Sequence, residues 1–178
     1  PRITGASSIT NHAVFALADA PLFIFHLLEW MDVAYELDVN QLNERWSRPE
    51  NIDSWGQLVI KHTTDTIDIV TKAPPTGIYQ MDDDGQVRFS RYDSHRRAVA
   101  SEAEAFFMRI SAAGDYQYEG ADLGILVTRG RLMTDDFQLN ERARGWIDGI
   151  RAQFEAKDPG QLSPPPEVPA EIGSFKML

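Results

Sequence analysis

Cysteine is absent from this sequence, and so is any long uninterrupted run of apolar residues. Without cysteine the chain forms no disulfide and no thiolate metal site, a composition compatible with a cytoplasmic location. The most apolar stretch, residues 21–33, is interrupted by His26, Glu29 and Asp32 and is shorter than the ~18 residues that suggest a membrane helix. No basic segment leads into an apolar one, as it would in a signal peptide. The sequence therefore predicts no membrane association.

Positive charge is also scarce. Seventeen Lys and Arg residues stand against 27 Asp and Glu residues, which gives a formal net charge of −10. A nucleic-acid platform needs a basic face to displace counterions, so this balance argues against nucleic acid as a partner. It leaves room for a local cationic pocket that binds a small anion.

The 178 residues, 43% of them hydrophobic, are enough for one domain with a real core. The chain opens with Pro1-Arg2-Ile3-Thr4-Gly5 and has no initiating methionine. We therefore expect it to be a piece of a larger protein.

Helical patterns dominate the first third of the chain. Ser7, Ser8 and Thr10 are N-cap residue types that precede an apolar run at helical spacing. A second helix is expected from Pro21, because proline is favoured in a first turn. A third has Asp38 as its cap and an apolar stripe made by Val39, Leu42 and Trp46.

After Gly56 the periodicity becomes that of strands. Residues 58–60 and 67–70 flank Thr63-Thr64-Asp65 and are interpreted as a hairpin. Residues 78–81 and 87–89 flank Asp82-Asp83-Asp84-Gly85, in which Asp-Gly is a strong turn signal. Two more apolar runs cover residues 106–110 and 123–127. We expect all the strands up to residue 129 to form one antiparallel or mixed sheet.

The last helix is predicted over residues 134–154, with Thr134, Asp135 and Asp136 at its start. Its apolar face should pack on the sheet through Leu139, Ala143, Trp146, Ile147, Ile150 and Phe154. The predicted fold class is α+β, with N-terminal helices followed by a small β-sheet subdomain and its packed helix. The proline-rich residues 157–178 are predicted to form a flexible tail.

The opening residues can form an anion site. Gly5 and Ala6 allow the backbone to approach a ligand, and the first amides of the following helix present the positive end of its dipole. Ser7 and Ser8 add hydroxyl donors, while Arg2 can hold a carboxylate or phosphate with two parallel hydrogen bonds. The alternative is a turn with two capping serines and a surface arginine.

Other polar residues carry weaker signals. His12, His26, His62 and His95 are scattered without a metal-ligand spacing, so we expect no zinc site. We interpret His26 as structural and His12 as an ordinary helical residue, with the alternative that His12, one turn after Ser8, faces the same ligand. The acidic run ending at Gly85 lacks the acidic first and last ligands of a calcium loop. The basic residues Arg88, Arg91, Arg96 and Arg97 do not define one site from the pattern alone.

The opening Pro1-Arg2-Ile3-Thr4-Gly5-Ala6-Ser7 resembles the end of the Asn-Pro-Arg-x-x-Gly-x-Ser segment of the ATP-grasp nucleotide site. Members of that family related to biotin carboxylase and the amino-acid ligases continue with helices and a small β-rich subdomain. Residues 73–79 are similar to its proline-glycine turn, and residues 120–130 with 134–154 to its last strand and helix. The resemblance covers roughly residues 1–156.

This resemblance implies three segments. Residues 1–55 would end the ATP-grasp core, residues 56–156 would form the β-rich C-terminal subdomain, and residues 157–178 the tail. It also implies ATP and Mg²⁺, with the Glu-x-Asn metal ligands and the ATP-gripping lysines outside this chain. Arg2 would be catalytic, and Gly5, Ala6, Ser7 and Ser8 would line the substrate or phosphate pocket. The chain alone is then expected to be inactive.

One departure narrows the activity that the resemblance implies. Biotin carboxylases follow their arginine with Gln-Val-Glu-His, whereas Ile-Thr-Gly-Ala-Ser follows here. This favours the carboxylate–amine ligases, whose partners would be a small acid, a small amine and the remainder of the ATP-grasp protein. The sequence is also compatible with a homo-oligomer. The rival interpretations are a non-enzymatic ligand-binding or protein-interaction domain and a pseudo-enzyme that keeps the fold.

Overall fold

The structure, a computed structural model, describes residues 27–48, 54–94 and 98–161. Residues 27–30 are helical, and the first helix with both ends described is α1 (Val39–Trp46). The strands are β1 (Trp55–Lys61), β2 (Asp68–Lys72), β3 (Gly77–Met81), β4 (Val87–Arg91), β5 (Glu104–Arg109), β6 (Tyr116–Gln117) and β7 (Asp122–Arg129). The chain continues with α2 (Glu141–Arg151), β8 (Glu155–Lys157) and a 3-10 turn at Pro159–Gln161.

Helix α1 confirms the helix predicted from Asp38. The Asp38 carboxylate accepts a hydrogen bond from the Gln41 amide at 2.9 Å, which satisfies one of the free donors of the first turn. The helix predicted from residues 7–10 lies outside the described residues. So does the start of the helix predicted from Pro21.

The strands form two antiparallel sheets. The larger has five strands in the order β1-β7-β5-β3-β4, and the smaller has three in the order β6-β2-β8. Every described pairing is antiparallel. The fold is therefore α+β, as the sequence predicts, but the expectation of one sheet is wrong.

The hairpin predicted between β1 and β2 is also wrong. Strand β1 pairs with β7, while β2 lies in the other sheet between β6 and β8. Residues 63–65 contain no glycine or asparagine to close a tight hairpin turn. Strand β7, buried over six consecutive residues, pairs with β1 on one side and with β5 on the other. The pairing of β1 with β7 therefore depends on burial between segments that are distant in the sequence.

The second predicted hairpin is confirmed. Strands β3 and β4 pair across Asp82–Gly85, and Gly85 takes the left-handed backbone conformation with φ 78°. The Gly85 amide donates to the Asp82 carbonyl at 2.9 Å, and the Asp82 carboxylate accepts from the Gln86 amide at 2.8 Å. The acidic run is therefore a turn whose first aspartate bonds to its own backbone.

Helix α2 begins later than the sequence predicts. Asn140 is its N-cap, and the Asn140 side chain accepts from the Ala143 amide at 2.8 Å. Thr134 instead closes a small hairpin, because its hydroxyl accepts from the Gln138 amide and its carbonyl from the Phe137 amide. The predicted start at Thr134 is wrong because this side chain stabilises a turn, whereas Asn140 is an equally strong cap residue.

The packing of α2 confirms the predicted apolar face. Ala143, Trp146 and Ile150 are fully buried on the five-stranded sheet, in one cluster with residues of β1, β3, β5 and β7. Ile147, Leu139 and Phe154 pack at its margin, and Phe154 lies just beyond the helix. This cluster is the main core of the described residues.

Tyr79 connects the core to the proline-rich turn ahead of β3. Its ring is fully buried and meets Phe89 and Phe107 edge to face, at centroid distances of 5.4 and 5.8 Å. Its hydroxyl donates to the Pro75 carbonyl at 2.8 Å, and burial raises the pKa of the phenol. The turn is thus fixed to the core by a side chain of the next strand.

Glycine allows α2 to approach β4 closely. A Cβ atom at Gly149 would overlap the side chain of Val87. A Cβ atom at Gly145 would lie 3.3 Å from the terminal methyl of Met81, which can move aside. The helix therefore needs glycine at one of these two positions.

Candidate functional site

The ligand site predicted at Arg2, Gly5, Ala6, Ser7 and Ser8 lies outside the described residues, as do His12, His26 and His95. Among the predicted histidines the structure places His62. It lies immediately after β1, at the edge of a cleft of about 240 Å³. We call this the polar cleft, lined by Lys61, His62, Thr64, Gln117, Arg151 and Phe154.

A chain of hydrogen bonds orients His62. Its Nε2 lies 2.6 Å from the Thr64 hydroxyl, which lies 3.2 Å from the Thr66 hydroxyl. Thr66 donates its hydrogen to the Asp68 carboxylate at 2.6 Å. Since each hydroxyl has one hydrogen, Thr64 donates to Thr66, and His62 donates its Nε2 hydrogen to Thr64. This direction of the hydrogen bonds corresponds to an imidazole that carries a hydrogen on Nε2.

Arg151 determines the sign of the charge in the polar cleft. Lys61 also lies there, but its ammonium is 2.7 Å from the Asp122 carboxylate and donates to the Gly120 carbonyl. Arg151 is half-buried at the end of α2 and donates from Nε to the Lys61 carbonyl at 3.0 Å. Within the described part of the chain this is the one hydrogen bond of its guanidinium, so both Nη groups can bind a ligand.

Gln117 is the most buried polar residue of the cleft. It lies in β6 opposite Asp68, and only 4% of its surface is exposed. Its Oε1 is buried and has no hydrogen-bond partner among the described residues. A buried acceptor without a donor costs about 1–3 kcal/mol, so the free protein keeps an unmet hydrogen-bonding requirement at this point.

A second cleft, of about 330 Å³, is mostly apolar. It lies along the start of β1 and the small hairpin before α2, and Trp55, Leu58, Leu132, Met133, Phe137 and Leu139 line it. Phe137 is 80% exposed and takes a left-handed backbone conformation, with φ 58°. The guanidinium of Arg129 lies over the Trp55 ring, 4.6 Å from its centroid. This cleft offers apolar contact area and few hydrogen bonds.

The basic residues that the sequence singled out take structural roles where they are described. Arg88 bonds to Gln86 and lies 3.6 Å from the Asp82 carboxylate, within the β3–β4 turn. Arg91 bonds to both oxygens of Glu104 at 2.7 and 3.3 Å, and this pair lowers the pKa of the Glu104 carboxyl. Arg96 and Arg97 lie outside the described residues.

The described ranges contain no group of three or more His, Asp or Glu side chains placed to hold a metal ion. None of their helices is both long enough and apolar enough to cross a bilayer.

Comparison with known proteins gives no relative: no family model, no curated protein and no solved structure matches this chain.

Sequence reasoning missed most of the polar cleft. Gln117 stands between two exposed tyrosines and Arg151 ends an amphipathic helix, and neither position has a distinctive local pattern. The sequence predicts a hairpin turn at Thr63-Thr64-Asp65, whereas in the structure the hydroxyls of Thr64 and Thr66 link His62 to Asp68. The available signal was this cluster of hydroxyl residues between a histidine and an aspartate.

Proposed function

We propose that this chain is the C-terminal part of an ATP-dependent carboxylate–amine ligase of the ATP-grasp type. The observation that carries the proposal is the opening segment, Pro1 to Ser8, with its arginine, its glycine and its serines ahead of a helical pattern. The order of the described elements supports it, since an antiparallel β-rich unit is followed by one packed helix. Such a ligase would work in the cytoplasm, where ATP is available.

The reaction has two steps. A carboxylate oxygen of the acid attacks the γ-phosphorus of ATP, ADP leaves, and an acyl phosphate forms. The amine then attacks the acyl carbon, the bond to the phosphate oxygen breaks, and the nitrogen loses a proton. Both steps require positioning and neutralisation of the transferred group, which arginine and helix-start amides can provide.

Within this proposal the opening residues have separate roles. Arg2 holds the substrate carboxylate or the migrating phosphoryl group through two parallel hydrogen bonds. Gly5, Ala6, Ser7 and Ser8 line the same pocket. The ATP-grasp resemblance implies that residues outside this chain supply the Mg²⁺ ligands and most of the ATP contacts.

The test is Arg2→Ala in the intact parent protein. We expect the ligation rate to fall on the order of 100-fold or more, with an unchanged melting temperature, because Arg2 is proposed to contact ligand and not the core. Arg2→Lys should recover only part of the rate, since an ammonium cannot form the two-pronged contact. Ser7→Ala and Ser8→Ala should be milder, because the helix amides remain. Steady-state kinetics and thermal melting measure both quantities.

Arg88→Ala is the matched control, because this arginine stabilises only a surface turn. Wild-type turnover in Arg2→Ala would contradict the proposed site. Early melting would make Arg2 structural. A parent protein with an intact fold and no ligation in any variant would indicate a pseudo-enzyme.

A further inference from the structure

We propose that the polar cleft binds a small carboxylate that carries a hydroxyl or amino donor beside its charged group. The observations behind this proposal are independent of those behind the proposal for Arg2. The ligand class follows from two groups of the cleft that lack partners among the described residues. One is a guanidinium that can bind an anion, and the other is an amide oxygen that can accept a hydrogen bond.

The need for an anion comes from Arg151. Its Nε donates to the Lys61 carbonyl, which orients the planar guanidinium, and neither Nη group bonds to another described residue. The charge of Lys61 is balanced by Asp122, so the positive charge of Arg151 decides which ligands the cleft attracts. A guanidinium fork matches the two oxygens of a carboxylate.

The need for a donor comes from Gln117. This residue lines the cleft, and only 4% of its surface is exposed. Its Oε1 accepts no hydrogen bond from the described residues. The Gln117 Oε1 is shielded in the free protein, so a ligand hydroxyl or amine supplies the missing hydrogen once this side chain turns its amide oxygen toward the cleft. One ligand can satisfy both residues if it carries both groups, because Gln117 and Arg151 line the same cleft.

Size and the remaining lining set the upper limit of the ligand. A volume of about 240 Å³ is below the roughly 300–1,000 Å³ of drug-sized pockets and suits a small metabolite. His62 is held by Thr64, so its position in the cleft is fixed before a ligand arrives. Phe154 and Leu123 close the apolar side.

The probes are L-malate and succinate, which have the same carbon chain and two carboxylates and differ by one hydroxyl. Each is titrated into the full chain at constant ionic strength and followed by amide NMR. We expect saturable shifts at residues 61–64, 117 and 151–154, with malate bound about 3- to 10-fold more tightly than succinate, the worth of one hydrogen bond.

Two variants separate the contributions. Arg151→Gln should weaken both probes at least about 10-fold, because a charged hydrogen-bonding group is lost. Gln117→Leu should still bind both, but the preference for malate should disappear, and the melting temperature should stay equal or rise because an unpaired acceptor is removed. Arg88 is an exposed arginine that does not line the cleft, so Arg88→Gln should change neither affinity.

Arg151→Lys covers the case in which Arg151→Gln unfolds; it keeps the charge and should bind both probes with intermediate affinity. Shifts that are absent from the cleft, or that persist unchanged in the Arg151 variants, would overturn the proposal. Equal binding of malate and succinate to the wild-type chain would overturn the role of Gln117.

Discussion

Trp146 lies at the centre of the core with no part of its surface exposed, and its indole Nε1 has no hydrogen-bond partner among the described residues. Its contribution to stability is therefore apolar contact, reduced by the cost of an unpaired donor. We expect Trp146→Ala to lower the free energy of unfolding by roughly 3–5 kcal/mol. Denaturant titration measures this difference.

Trp146→Phe separates the contribution of apolar contact from the cost of the unpaired Nε1 donor. The smaller ring leaves a cavity, but it also removes the unpaired Nε1 donor, so we expect a loss of less than half that of Trp146→Ala. A near-zero loss for Trp146→Ala would mean that α2 contributes little to the core.

At the scale of elements, α2 and β4 are brought together through Gly149. We expect Gly149→Ala to destabilise the protein by about 1–3 kcal/mol, because the new methyl group overlaps Val87 and forces the helix away. The higher helix propensity of alanine, worth about 1 kcal/mol, does not offset this overlap.

Gly145→Ala is the matched control within the same helix. Its Cβ meets only the flexible end of Met81 at 3.3 Å, so the propensity gain should leave the stability equal or slightly higher. Thermal melting of the two variants gives the comparison. Equal effects at both positions would show that the close approach of α2 to β4 does not decide their packing.

Another contact between elements joins β4 to β5 across β3. Arg91 forms two hydrogen bonds to Glu104, and the Ala100 amide donates to the same carboxylate at 2.8 Å. The hydrogen bond from Arg91 is the main reason that the pKa of Glu104 lies below its ordinary 4.5. A carboxyl with a lowered folded-state pKa stabilises the fold above its unfolded pKa and loses that contribution as pH falls through the folded value.

The variant that tests this contact is Glu104→Gln. We expect it to lose roughly 1–2 kcal/mol near neutral pH, between the values of exposed and buried pairs, because Arg91 is 42% exposed. Its difference from wild type should shrink below pH 4.5. Urea titrations from pH 3 to 7 measure both quantities, with the exposed Glu119→Gln as control. A difference that is constant over this range would contradict the ionic role of Glu104.

At the scale of the whole molecule, local patterns predicted the elements and one short-range strand pairing, but not the long-range pairings. Periodicity and Asp-Gly placed the β3–β4 hairpin, and the apolar spacing placed Trp146 and Ile150 in the core. The pairing of β1 with β7 depends on burial between distant segments, and sequence periodicity does not encode a partner. The same reason separates β2 into a second sheet.

The two candidate sites differ in the same way, since one is a local pattern and the other depends on contacts between distant segments. The site predicted at Arg2 came from a contiguous motif, the kind of signal that a sequence shows directly. The polar cleft combines residues after β1, within β6 and at the end of α2, which are brought together only by the fold. Burial of Gln117 and the fixed Nε of Arg151 are properties of that packing and have no counterpart in the local sequence.

The wide separation of the strand partners has a consequence for synthesis of the chain. Lys61 of β1 forms an ion pair with Asp122, which lies 61 positions later in the chain. Lys72 of β2 forms an ion pair with Glu155, which lies 83 positions later. At about 5–20 residues per second, ribosomes need roughly 3–17 s to make those intervening lengths. During that interval the segments that become β1 and β2 lack their final strand partners. Chaperones that bind extended apolar segments could bind these two segments. The rate of translation, and not only the finished fold, should therefore influence the yield of this protein.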